Sequence, residues 1–319
     1  MTKGRIGVKE KEGFRKTNWR KYLKRYWMVY AMLIPGLLYI IVFKYIPMYG
    51  VTIAFRDYNG IGSINDAKWV GWANFTKLFS TNAFRRALKN NIIISVEKLL
   101  LGFPTPIILA LLIDATSHTW LKKLTQTAVI LPSFLSWVVV YGLMYAVFSP
   151  SAGVIQSVLN MVGYQGKIPD LLSTKSTFRS VILGSYIWKQ GGAATVVYLA
   201  AIMGIDQQLY EAAAVDGAGR WRQLWHITLS GIRTTIITLF IIRVGEIMYA
   251  GFDQIYAMSN DAVIAVADII DTYVYRLGLT QRDFSLATAA GLFQSAVGLL
   301  LVLITNFISK RLDPDSGLF

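Results

Sequence analysis

The chain has 319 residues, of which 54% are hydrophobic and only 16% charged, and its mean hydropathy is +0.46. Soluble domains carry closer to a quarter charged residues, so this composition excludes an ordinary water-soluble domain and points to lipid as the solvent. The net charge of +14 comes with no cysteine and only two histidines, His118 and His226, which excludes disulfides and thiolate metal sites and leaves no metal-ligand cluster.

The first 26 residues hold much of that charge. Lys3, Arg5, Lys9, Lys11, Arg15, Lys16, Arg20, Lys21, Lys24 and Arg25 stand against only Glu10 and Glu12. Basic residues beside a span orient it and attract anionic headgroups. The segment is therefore a cytoplasmic juxtamembrane anchor rather than a nucleic-acid arm. It is also too long and basic for a secretory signal, with no small-residue cleavage pattern after it.

Six apolar runs approach the ~20 residues that cross a bilayer as helix. They lie near 27–47, 91–113, 125–148, 181–203, 232–252 and 286–308. The predicted fold is all-α and integral to the membrane, with a six-helix transmembrane body over 27–311 and a short cytoplasmic tail at 312–319. Pro35 and Gly36 predict a kink in the first run. Lys122 and Lys123, then Arg220, Arg222 and Arg233, then Lys310 and Arg311 fall on the N-terminal side if the spans alternate. Both termini are then cytoplasmic. The connection 253–285 has five Asp and suits the outside as a loop.

Polar groups within spans are costly and mark a pathway or a pair. Glu97 and Lys98 lie in the second run, adjacent and so on different faces, Lys189 and Gln190 in the fourth, and Arg243 and Glu246 in the fifth. The last two are three apart on one helical face, and they read as a structural pair. Aromatic side chains are the other sign of a pathway wall, since their faces can stack on a solute. Trp137, Tyr141 and Tyr145 recur at spacing four in the third run; Trp188 marks the fourth, and Tyr249, Phe252 and Tyr256 the fifth. Packing is the competing use of such a stripe. Ala287, Gly291, Ser295 and Gly298 in the sixth run favour close helix contact.

Between the fourth and fifth runs lies "LYEAAAVDGAGRWRQLWHITL". Asp206 predicts an N-cap, Gln207 to Val215 a short helix, and Asp216-Gly217 its end, because Gly accepts the left-handed conformation that closes helices. A second helix starts near Arg220 or Trp221. Three alanines, Ala212, Ala213 and Ala214, leave a smooth surface that suits a groove on another protein. On composition alone, a solvated loop helix without a partner is equally open.

These residues resemble a known motif. Glu211, Ala212, Ala213, Asp216, Gly217 and Ala218 are similar, position by position, to the E-A-A-x-x-D-G-A loop of permease subunits of binding-protein-dependent ABC importers. "VGWANFTKLF" (70–79), "LPSFLSWVVV" (131–140), "GVIQ" (153–156), "FDQIYAMSN" (252–260) and "DFSLATAAG" (283–291) resemble segments of sugar permeases, and the likeness extends over about 25–315. "DIIDTYVYRLGL" (268–279) resembles the oligosaccharide and polysaccharide subgroup of the maltose-type carbohydrate branch. The resemblance implies a six-helix core with a cytoplasmic coupling helix within 206–222 that docks into an ATPase subunit. It also implies alternating access in a bacterial cytoplasmic membrane. The implied partners are two ATPase subunits, a second permease that is a related but different chain, an extracellular solute-binding protein and a carbohydrate. The chain itself is then non-catalytic, with ATP and Mg held by the ATPase. Consistently, no G-x-x-x-x-G-K-[ST] occurs.

Ser230 and Thr234 stand where the family commonly has proline, and Leu224 where Phe is common. The second helix of the loop is therefore expected to run on unbroken. Permeases for other solutes and ion-driven secondary transporters are the alternatives. The latter predict an inverted repeat, which is not evident here. A membrane-embedded enzyme would need a catalytic constellation that is likewise not evident.

Overall fold

The computed structural model describes residues 23–164 and 166–312. The basic residues before Lys24 and the tail beyond 312 lie outside them. By internal contacts the chain divides into two units, 1–51 and 52–319, and the division falls inside the first apolar helix.

That helix, α1, runs Trp27–Phe55. It continues through Pro35 and changes character later, widening to a π turn at Ile41–Tyr45 and tightening to 3-10 turns over Ile46–Phe55. The helix is thus unbroken at Pro35, where a kink is expected, and departs from α geometry only from Ile41 onward. Pro47 follows the wide turn, and a wide turn moves the carbonyl four residues before a proline away from its ring.

In the second unit a two-stranded antiparallel ribbon, β1 (Arg56–Asp57) with β2 (Lys68–Trp69), precedes α2 (Ala73–Ser80). Then α3 spans Asn82–Asp114, with a π turn at Lys98–Gly102 just ahead of Pro104. Next come α4 (Thr119–Phe134) and α5 (Trp137–Phe148), α6 (Val154–Met161), α7 (Lys175–Met203), α8 (Gln207–Val215), α9 (Arg220–Gly231) and α10 (Arg233–Met248). The chain closes with α11 (Phe252–Met258), α12 (Ile264–Ala267), α13 (Ile270–Tyr275) and α14 (Phe284–Leu312).

Among the described residues three helices are long and apolar enough to cross a membrane: α1, α3 and α14. The number is up to five if α4 with α5, and α9 with α10, each form one bent span. The protein is therefore a helical multi-pass membrane protein, but six straight spans are not what forms. The third expected span is two helices meeting at 106°. Pro132 ends the first, and Ser136 starts the second by accepting from the Val139 N–H. The fourth expected span is α7, long at 29 residues but carrying Lys175, Arg179 and Lys189.

The connection 253–285 is not an open loop, contrary to expectation. Irregular backbone is tolerated in a membrane protein only where side chains satisfy it. Asn90 donates to the Ala265 and Asp268 carbonyls within the connection, and just ahead of it Asn91 and Gln294 both donate to the Met248 carbonyl. Buried Asp268 pairs with Arg276 at 2.7 Å. Two of its five aspartates, Asp268 and Asp271, thus bind internally rather than face water.

Three apolar clusters hold the unit. One joins α3 to α13 and α14 through Phe84, Ile270 and Ala290. Another joins α3, α7 and α11 through Ile94, Ile182 and Ile255. The last joins α3, α7 and the α9–α10 break through Ala110, Tyr198 and Ile232. In lipid the hydrophobic drive between helices is largely absent, so close packing carries the association. Gly192 shows the extreme, since a Cβ there would lie 1.6 Å from the Val129 carbonyl oxygen.

Candidate functional site

The segment between α7 and α10 has a readable local cause. Asp206 caps α8 by accepting from the Gln208 N–H at 2.9 Å. At the other end, Ala218 N–H donates to Ala213 O at 2.8 Å and Gly217 N–H to Ala214 O at 3.1 Å. This pair of bonds is a Schellman closure, and it needs a left-handed residue at Gly217, whose φ is 75°. The Asp-Gly-Ala step thus terminates α8 and reverses the chain. Tyr210 and Thr228 hydroxyls meet at 2.9 Å, and Gln223 donates to Ala218 O at 3.0 Å. α8 is thereby fastened to α9.

Glu211, Ala212, Asp216 and Gly217 are exposed, while Ala213 and Ala218 are half-buried. The latter two line a shallow concavity of about 370 Å³ with Arg222 and His226. Val215 and Trp221 stand 87% and 75% exposed beside it. A smooth capped helix flanked by bare apolar side chains is a surface built for contact.

α9 does not run on into α10. The two meet at 59° despite the absence of proline. At the bend the chain passes close to the end of α7, where a Cβ at Gly231 would lie 2.7 Å from the Ile205 side chain, and it turns at Ile232 (φ −96°, ψ 7°).

A second feature is a cavity of about 400 Å³ walled by α3, α5, α7, α10, the connection 249–251 and Gln254 of α11. The size lies within the roughly 300–1,000 Å³ of small-molecule sites. Of the residues expected on a pathway, Trp137, Gln190, Arg243, Glu246 and Tyr249 line it. Arg243 and Glu246 form an ion pair at 2.9 Å. Tyr249 shares a hydrogen bond with Ser295 at 3.1 Å.

The others lie elsewhere. Tyr141 packs in the second apolar cluster and Tyr145 stands half-exposed. A spacing of four drifts about 40° per step on a helix of 3.6 residues per turn, so only the first member of that stripe reaches the cavity. Trp188 is exposed on another face of α7. Phe252 and Tyr256 stack at 5.1 Å and pack with Tyr275 outside the cavity. Lys189 is buried beside the cavity, with Nζ 3.1 Å from Ser133 O and 5.1 Å from the Trp137 ring centroid. Glu97 is half-buried and does not line it.

Lys98, the lysine that the sequence places on a different face from Glu97, also lines the cavity. Lys98 Nζ donates to Ala250 O and Gln254 Oε1, each at 2.6 Å, and sits 4.7 Å from the Tyr186 ring centroid. Gln254 is itself fixed by donating to Ile182 O and Ser185 Oγ. Helical geometry turns adjacent side chains ~100° apart, so Glu97 and Lys98 do not pair with each other, and Lys98 finds its partners on α11 and the connection just ahead of it.

Residues 102–316 match the family model described as "Binding-protein-dependent transport system inner membrane component". The chain belongs to this family. Among its relatives are protein LplB of Bacillus subtilis, 43% identical over 95% of this chain and 94% of that one. Another is the polygalacturonan/rhamnogalacturonan transport system permease protein YteP of the same organism, 40% identical over 90% and 89%. A subunit of a bacterial alginate ABC transporter, crystallised in complex with an alginate pentasaccharide-bound periplasmic protein, superposes with a TM-score of 0.84. It is 41% identical and covers 93% of this chain and 98% of that one. As an inner-membrane component of this family, the protein works with a binding protein.

Proposed function

We propose that this chain is a transmembrane subunit of an ATP-driven carbohydrate importer, whose cargo is an oligosaccharide or polysaccharide fragment. It forms part of the translocation path and couples that path to an ATPase by alternating access. The carrying observation is α8: a short helix capped at both ends, fastened to α9 and presenting an exposed alanine face. Nucleotide state shifts the permease only if it favours one conformation by differential contact, and a rigid rod clamped in a partner's cleft supplies that difference. α8 is then cytoplasmic, as are both termini. Two ATPase subunits hold the ATP and Mg, and a second, related permease completes the path. This chain performs no chemistry itself. Support for the cargo comes from the relatives and the cavity's mix of aromatic and polar walls.

Gly217→Asp would place a side chain on a left-handed backbone position (φ 75°), and Glu211→Lys would reverse the charge on the docking face. Either variant should remain in the membrane yet lose most ATPase-subunit co-purification or sugar uptake. Normal yield of the complex together with normal uptake would refute the reading.

A further inference from the structure

Charge within the cavity does not balance. Two cations, Lys98 and Arg243, line it against one carboxylate, Glu246, and Arg243 already holds that carboxylate at 2.9 Å. The ammonium of Lys98 is held only by neutral oxygens and a ring face. No carboxylate among the described residues pairs with it. Keeping a cation at membrane depth without a counter-charge is costly, and neutral dipoles offset that cost only in part.

The setting is nevertheless built for this ammonium. Gly251 takes φ 98°, and a Cβ there would lie 3.2 Å from Nζ. Gln254 is fully buried, and its two donor bonds turn Oε1 toward Nζ. One helical turn before Lys98, Ser95 lines the same cavity. It is 6% exposed, and its hydroxyl oxygen has no hydrogen-bond partner. An unengaged hydroxyl and an unbalanced ammonium on one wall form a donor pair waiting for an anionic acceptor.

Resting on the import reading above, we propose that Lys98 and Ser95 receive a sugar carboxylate, so that the cargo is a uronate-bearing oligosaccharide rather than a neutral one. Lys98 supplies the charge and Ser95 the second hydrogen bond. Trp137 and Tyr249 stand on the cavity wall where a sugar ring would pass. A neutral sugar leaves the ammonium unbalanced throughout transit; a uronate neutralises it.

The test uses the assembled complex with its ATPase, second permease and binding protein, reconstituted in vesicles. Trigalacturonate and its fully methyl-esterified form are the probes, since they differ in charge and little in size. The wild type should import the acid in preference to the ester. Lys98→Met should raise KM for the acid ~30-fold or more while leaving uptake of the ester within about twofold. Ser95→Ala should act in the same direction more weakly, and Lys98→Arg should retain the preference. Yield of the complex guards against misfolding, and the acid-to-ester ratio separates cargo binding from a purely structural strap. Equal loss of both sugars in Lys98→Met, or equal import by the wild type, would overturn the inference and leave carbohydrate import standing. Import of neither saccharide by an ATP-hydrolysing complex would overturn both.

Discussion

Asp271 carries its carboxyl away from water, and burial pushes its pKa above the ordinary 3.8, partly offset by the hydrogen bond from Gln294. A carboxyl whose pKa is raised on folding favours the protonated native state. Stability is therefore lost as pH rises through 3.8 toward the folded value, and stays lost above it. Asp271→Asn keeps an acceptor for Gln294 Nε2, now 2.8 Å from Oδ1, and removes the desolvated charge. The variant should show a higher thermal midpoint at pH 7 than the wild type, with the difference vanishing at pH 3. A thermal series in detergent at the two pH values decides this. Asp268, three residues away, is more deeply buried and is paired with Arg276 at 2.7 Å. In sequence the two aspartates look alike, and the neighbours that separate them come from α14 and from two turns downstream.

Glycine and proline govern the elements. π turns precede Pro47 and Pro104, and Pro132 breaks α4 from α5. These are consequences of a missing N–H and a bulky ring, and each proline is visible in the sequence. The bend between α9 and α10 has no proline and coincides instead with the close approach of Gly231 to Ile205, a contact no local pattern announces. In the sixth run Gly298 lies close to the Gly245 carbonyl, whereas Gly291 has open space. Small residues thus permit contact without requiring it. Gly192 and Gly184 on α7 give a matched test. Gly192→Ala drives a Cβ into the Val129 carbonyl and should destabilise by about 1–3 kcal/mol. Gly184→Ala meets nothing within 4 Å and should be neutral, or stabilising by roughly 0.5–1 kcal/mol through helix propensity. Thermal unfolding of the two variants side by side checks the contrast.

For the whole molecule, the question is how motion at α8 reaches the cavity. α8 is tied to α9 by Tyr210–Thr228, α9 bends into α10, and α10 carries Arg243 and Glu246 on the cavity wall. The proposed route is a rigid-body one, in which the two hydroxyls hold the rod to its lever. Tyr210→Phe removes that bond and keeps the ring. The variant should assemble with normal yield, hydrolyse ATP, and import several-fold less sugar per ATP. Unchanged sugar import per ATP would show that the bond transmits nothing.

The sequence alone determined the membrane class, the helical content, the capped α8 with its Asp-Gly-Ala closure, and the Arg243–Glu246 pair. All of these depend on composition or on residues within one or two turns of each other. Only the tertiary structure decided the broken α4–α5 run, the internally bonded 253–285 segment and the cavity. Lys98 meets Gln254 across 156 residues of chain, and Trp137 reaches the cavity while Tyr145 does not because of where α5 is turned. Local patterns fix what a helix is. Which of its side chains meet, and which charge is left without a partner, depends on helices far apart in the chain packing at close range.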